Sequence, residues 1–189
     1  MASFNLYIPL LTSVEGGYQN LLGDSGNYNS KGERVGTNYG IAAKTYESWI
    51  GYPPSIADMK AMTKTVALEI MKAWYWDKVS ASNINNQSIA EMIADHAVNA
   101  GTGRAGRMVQ EVLNNSFGFS LTVDGAIGPK TISAINSVDQ EKLHQALKDY
   151  RQNYYNGIGG EFLKVWLNRL KRFTYEKKKQ CSACGQLLA

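Results

Sequence analysis

The residue of this chain best placed for acid–base chemistry is Glu15. Tyr7, Leu10, Leu11 and Val14 recur at i, i+3, i+4 and i+7, a helical spacing that Ser3 can cap and Gly16-Gly17 ends. Glu15 therefore falls in the last turn of a helix. The unpaired carbonyls there carry a partial negative charge that disfavours a second one, so a carboxyl group keeps its proton to higher pH. The apolar Val14 precedes it, and the two glycines leave room for a polymer to approach closely. Such a group suits a proton donor to a leaving oxygen. An ordinary exposed helix-end glutamate fits the same local sequence.

Other residues offer chemistry of their own. Asp95 and Asn99 stand four apart and share one helix face. They either both face a ligand or form a buried polar pair. His96 reads as a packed histidine rather than a catalyst. Tyr18, Tyr28, Tyr39, Trp74 and Trp76 carry ring faces on which a sugar can stack, although aromatic residues at helical spacing are also ordinary core. Cys181 and Cys184 make a single CxxC with no second ligand pair after it, and His96 and His144 are distant in sequence. That is short of the four ligands of a structural zinc site, and the purpose of the pair stays open.

The elements that must hold these residues are mostly helical. Residues 20–40 differ: Gly23, Gly26, Gly32, Gly36 and Gly40 punctuate a polar stretch rich in Asn and Tyr. Ser30-Lys31-Gly32-Glu33 reads there as a turn between two short extended arms, a small β-hairpin. Helices are expected near 44–50, 63–76, 104–113, from Pro129 onward, and around Leu143–Tyr154 and Phe162–Phe173. Ser88 and Glu91 have the spacing of a capping box, and Ile89, Met92, Ile93, Ala97 and Ala100 follow in helical register up to Gly101. The expected fold is mainly α, of the α+β lysozyme-like kind, with two lobes and a small β-hairpin near the N-terminus.

Composition sets outer limits. The 189 residues suffice for one domain, or one with two lobes, and for a core that needs no disulfide framework. The net charge of +4 favours anionic partners, and much of the excess lies late, at Lys164, Arg169, Lys171, Arg172 and Lys177-Lys178-Lys179. No aromatic nucleic-acid motif accompanies it, so nucleic acid is not an expected partner. No stretch approaches the roughly 20 apolar residues of a membrane span, and Met1-Ala2-Ser3-Phe4 lacks the basic start of a signal peptide.

Five segments, in order, carry a family resemblance. Val14-Glu15-Gly16-Gly17-Tyr18 resembles the signature of glycoside hydrolase family 108, the bacterial and phage N-acetylmuramidases. Gly36-Thr37-Asn38-Tyr39-Gly40-Ile41 resembles its Gly-x-Thr-x-x-Gly-Ile segment, and Trp74-Tyr75-Trp76-Asp77 its Tyr-Trp motif. Asp95-His96-Ala97-Val98-Asn99-Ala100-Gly101 resembles its Asp-x-Ala-Val-Asn-x-Gly helix. Val123 to Thr131 resembles the companion predicted peptidoglycan-binding region. One departure stands out. Members often have an Asp-Pro-x-Asp-x-Gly-Gly-x-Thr loop, but here Leu21 takes the place of the first aspartate. Extra residues around Tyr28–Arg34 also precede Thr37.

The resemblance implies hydrolysis of the β-1,4 bond between N-acetylmuramic acid and N-acetylglucosamine in peptidoglycan, without metal or organic cofactor. Glu15 would be the general acid. The nine-residue offset to Asp24 is also similar to that of phage-type lysozymes, which makes Asp24 and Thr37 the residues that hold the attacking water. Asp24 as a mere turn-capping aspartate, or Glu33 as the second carboxylate, remain alternatives. Tyr18, Tyr39, Asp95 and Asn99 are the expected substrate contacts. Rival readings are a non-catalytic wall-binding module and a chitinase- or chitosanase-type glycosidase. The expected organisation is a catalytic lobe over 1–87, a helical lobe over 88–175 and a basic tail over 176–189. The expected state is a monomer that acts on glycan strands after release or delivery, as a phage endolysin or an effector would.

Overall fold

The structure, a computed structural model, describes residues 1–12 and 17–176. Glu15, with Val14 and Gly16, lies outside the described residues, as do Cys181, Cys184 and Lys177–Lys179. Two compact units divide the chain: Phe4–Asp77, and Met1–Ser3 with Lys78–Ala189.

The first unit holds α1 (Phe4–Thr12), α2 (Ala43–Ile50), α3 (Ile56–Ala61) and α4 (Lys64–Met71). The core-facing residues of α1 are Phe4, Tyr7 and Leu11, and Tyr7 stacks on the fully buried Trp76 at 5.7 Å. Ser55 and Asp58 form a capping box at the start of α3, and Thr63 caps α4 through the Val66 amide. A π-helical turn, Lys72–Trp76, continues α4 and turns Trp76 into the core. Trp74 meets the partly exposed Trp49 edge-on at 5.6 Å.

The expected β-hairpin is not formed. Among the described residues there are only isolated antiparallel bridges, Gln19 with Thr37, Tyr28 with Arg34 and Asn38 with Ile41. The side chains of the segment explain why. Asn29 Oδ1 accepts the amides of Lys31 and Glu33, and the Asn27 carbonyl accepts from both Val35 and Gly36. Amides spent in this way cannot alternate across a ladder.

The second unit holds α5 (Gln87–Ala100), α6 (Thr102–Phe117), α7 (Pro129–Ser137), α8 (Gln140–Ile158) and α9 (Leu163–Lys171). Its core is made by Ile89, Met92, Ile93, Met108, Leu113, Ile135, Leu143 and Leu147, all fully buried. The cap of α5 is Asn86, not Ser88: its side chain accepts from the Ile89 amide. Ser88 Oγ instead accepts from the Glu176 amide, and Glu91 accepts from Gln87 Nε2. Pro129 occupies the first position of α7, as its fixed φ favours. No helix among the described residues is long and apolar enough to cross a membrane.

Candidate active site

In the first unit, Asp24 and Thr37 belong to one hydrogen-bonded cluster built on two side-chain amides. Gln19 Nε2 donates to Asp24 Oδ2 at 2.9 Å and to Asn27 Oδ1 at 3.1 Å. The Thr37 hydroxyl donates to the same Asn27 oxygen at 2.8 Å. The backbone closes the ring, because Gln19 and Thr37 exchange both N–H···O bonds at 2.8 Å. Asp24 also caps a short 3-10 turn, Ser25–Asn27, through Oδ1 and the Gly26 amide at 2.9 Å. Asn27 is fully buried and its amide group further donates to the Leu21 carbonyl.

Gly26 packs closely against this cluster. A Cβ at that position would lie 3.2 Å from Asp24 Oδ1 and 3.7 Å from Thr37 Oγ1. The Ala42 methyl would lie 3.5 Å from the same point, so two oxygens and a methyl group crowd the side of Gly26 where any side chain would project. Thr37 commits its only proton to Asn27, so its oxygen faces any further partner as an acceptor. Two neighbouring acceptors can take both hydrogens of one water molecule.

Glu33 is held elsewhere. Its Oε2 accepts from Asn29 Nδ2 at 2.8 Å, and Asn29 in turn donates to the Pro54 carbonyl. Among the described residues, no hydrogen bond links the Glu33 side chain to Asp24 or Thr37.

The aromatic candidates divide into locked and open. The Tyr18 hydroxyl donates to the Val35 carbonyl at 3.1 Å, and its ring lies where a Cβ on Gly36 would be 2.5 Å away. The Lys60 ammonium sits 5.1 Å from its ring centroid. Tyr39 has a φ of +47°, a left-handed conformation that costs a bulky side chain energy and that cavities and sites tend to retain. Together with Leu11, Thr12, Lys64 and Met71 it lines a small cavity of 90 Å³.

In the second unit, Asp95 does not fit the part of a substrate contact. It is 1% exposed, with Oδ2 on Arg151 Nη2 and Oδ1 on Arg169 Nε and Nη2 at 2.8 and 2.6 Å. Burial opposes its charge, but the two guanidinium groups outweigh that and hold its carboxyl below the usual range. The polar group is an internal tie between α5, α8 and α9. Asn99 donates to the Asp95 carbonyl at 2.8 Å and stays exposed, open to a ligand. His96 packs edge-on against Tyr154 and Tyr155, and neither ring nitrogen has a hydrogen-bond partner among the described residues. Burial, and then the Arg151 charge, push it down to about 3, so it is neutral wherever the enzyme would work.

Sequence reasoning missed Gln19, Gly26 and Asn27. Their one signal is the crowding of amides and glycines in a stretch with few apolar residues, where a buried amide such as Asn27 must be fully bonded.

Comparison with known proteins sets this geometry in a family. Residues 8–101 match the family described as glycosyl hydrolase 108, and residues 104–171 match one described as a predicted peptidoglycan domain. Among solved structures, the chain is similar to SagA of Brucella abortus, with 32% identity over 90% of each chain and a TM-score of 0.76. No curated protein matches. A mainly helical fold with these two matched regions defines a glycoside hydrolase acting on peptidoglycan. Within that class, the chain belongs to the glycosyl hydrolase 108 family.

Proposed function

We propose that the chain hydrolyses the β-1,4 bond between N-acetylmuramic acid and N-acetylglucosamine, with Glu15 as general acid. Asp24 and Thr37 hold the attacking water. Glycoside hydrolysis needs a proton donor on the leaving oxygen and a group on the opposite side that activates water or attacks directly. Glu15 follows the helical run of α1 and precedes a glycine pair, the place for the donor. The observation that carries the reading is the hydrogen-bonded cluster in which Gln19 and Asn27 hold Asp24 and Thr37 beside one another.

Asp24 deprotonates or orients the water, Thr37 accepts its second hydrogen, and Gln19 and Asn27 fix both side chains. Tyr39 and Asn99 are the substrate contacts this reading retains. Tyr18 contributes the exposed part of its ring, and Asp95 acts through α5, α8 and α9 rather than by touching sugar. Release from the cell by phage-type lysis, or delivery as an effector, is the setting that fits a wall-directed activity.

With a water between the carboxylates, the reaction inverts the anomeric centre. Proton NMR of the first-formed reducing sugar tests this: initial α-anomer from the β-linked wall is expected. Initial β-anomer would mean that a carboxylate, not water, attacks first.

A further inference from the structure

The second unit contains a groove of 550 Å³ that the hydrolytic site does not use. Its wall is the segment 118–128, which has no regular secondary structure yet is fastened to α6 by the side-chain amides of Gln110 and Asn114. Gln110 is 2% exposed. Its Nε2 donates to Asp124 Oδ1 at 2.7 Å and to the Ala126 carbonyl at 3.0 Å, and its Oε1 accepts from the Gly125 amide at 2.8 Å. Asn114 pins Leu121 in the same manner, through both its amide and its carbonyl. The seat is tight: a Cβ on Gly106 would lie 1.9 Å from the Gly125 carbonyl oxygen, and Gly125 itself has a φ of +86°. A loop held this firmly presents its outward groups in fixed positions, which lowers the ordering cost of binding.

Those outward groups are polar and of both signs. Lys130 is exposed and forms no ion pair among the described residues. Asp124 is exposed as well, with Oδ1 occupied by Gln110 and the Ala126 amide. The hydroxyl groups of Ser120 and Thr122 have no hydrogen-bond partner there. Among the described residues no aromatic ring lines the groove, and these residues offer no platform for stacking a sugar face. The groove's size falls within the range typical of sites for small ligands, about 300–1,000 Å³.

Peptidoglycan has two chemically distinct parts. Its glycan is neutral once the lactyl groups are amidated, whereas its stem peptide carries free carboxylates and, at the diamino residue, an amine. We propose that the groove between segment 118–128 and α7 binds the stem peptide of peptidoglycan, with Lys130 on a peptide carboxylate and Asp124 on the peptide amine. The inference rests on peptidoglycan being the substrate of the chain, and it assigns the peptide portion to residues other than Glu15, Asp24 and Thr37. Glycan cleavage and peptide capture then fall to different residues.

The test is a titration of the isotope-labelled full chain with two probes, followed by amide chemical shifts. One probe is the synthetic tetrapeptide L-Ala–γ-D-Glu–meso-diaminopimelate–D-Ala, and the other is chitotetraose, which has no peptide. The tetrapeptide is expected to move the amides of Thr122, Asp124 and Lys130. Lys130→Glu should weaken it at least tenfold, Asp124→Asn several-fold, and chitotetraose should leave those amides in place. The proposal is overturned if the tetrapeptide moves none of them, if chitotetraose moves the same set, or if Lys130→Glu binds the peptide like wild type. Release of reducing sugars from wall, measured on the same preparations, separates the two claims. Sugar release without peptide binding removes this inference alone, and peptide binding without sugar release removes the hydrolytic reading alone.

Discussion

At the scale of single residues, the account turns on oxygen atoms placed by amides. Gly26→Ala is a direct probe, because Gly26 does not need the left-handed conformation and alanine adds only a methyl group. That methyl would press on Asp24 Oδ1 at 3.2 Å and stand 3.5 Å from the Ala42 methyl and 3.7 Å from Thr37 Oγ1, so it pushes the Asp24 carboxylate from its place. Turnover on wall is expected to fall at least tenfold in the folded variant; wild-type turnover in Gly26→Ala would mean that the placement of Asp24 does not matter to the reaction. Asp24→Asn should lower turnover by about 10²-fold or more, the low end for loss of an acid–base group, and Glu33→Gln should be nearly silent. The reverse pattern, read in turbidity clearing by folded proteins, would transfer the second carboxylate to Glu33. Glu15 and Asp24 drew notice in the sequence, the first from its place before a glycine pair and the second from the resemblance to phage-type lysozymes. Gln19 and Asn27 were not, since an amide that serves by bonding two neighbours has no spacing rule of its own.

At the scale of elements, one buried charge joins three helices. Asp95 on α5 meets Arg151 on α8 and Arg169 on α9, so Asp95→Ala leaves two guanidinium groups facing an empty site. Loss of one partner from a buried pair typically costs about 3–5 kcal/mol. Chemical denaturation should show a loss of that order, and a change under about 1 kcal/mol would mean the tie is dispensable. The spacing of Asp95 and Asn99 foretold that the two share a face, but not that two arginines from 56 and 74 residues away would close over one of them. Partners at that distance leave no local trace.

The histidines add a pH dependence of known sign. Burial pushes His96 down to about 3 and His144 to about 4, from an ordinary 6.5 that the unfolded chain keeps. Below pH 6.5 the unfolded chain takes up protons that the native state refuses. Stability from these groups is therefore complete above that value and drains as the pH falls toward 4 and then 3. Denaturation midpoints should drop across this window, and His96→Phe should flatten the drop. A midpoint in the wild-type chain that does not change between pH 6.5 and 4 contradicts the burial of both rings.

At the scale of the whole molecule, helix spacing and motif order were the readable parts. Pro129 at a helix start, Gly101 at a helix end and the long apolar register of α5 follow local rules of backbone geometry. The hairpin did not form, because Asn27 and Asn29 draw the amides that a ladder requires. The cap of α5 is Asn86 and not Ser88 because the helix already begins at Gln87, where the Asn86 side chain takes the Ile89 amide. The central claim is the identity of the bond and the acid that breaks it. Its most direct test is mass spectrometry of borohydride-reduced fragments released from purified wall by the wild-type chain and by Glu15→Gln of matching circular dichroism. The account predicts reduced N-acetylmuramic acid at the new ends with the wild type and almost none with Glu15→Gln. New ends of reduced N-acetylglucosamine or of 1,6-anhydro-muramic acid, or equal release by the two proteins, would contradict it.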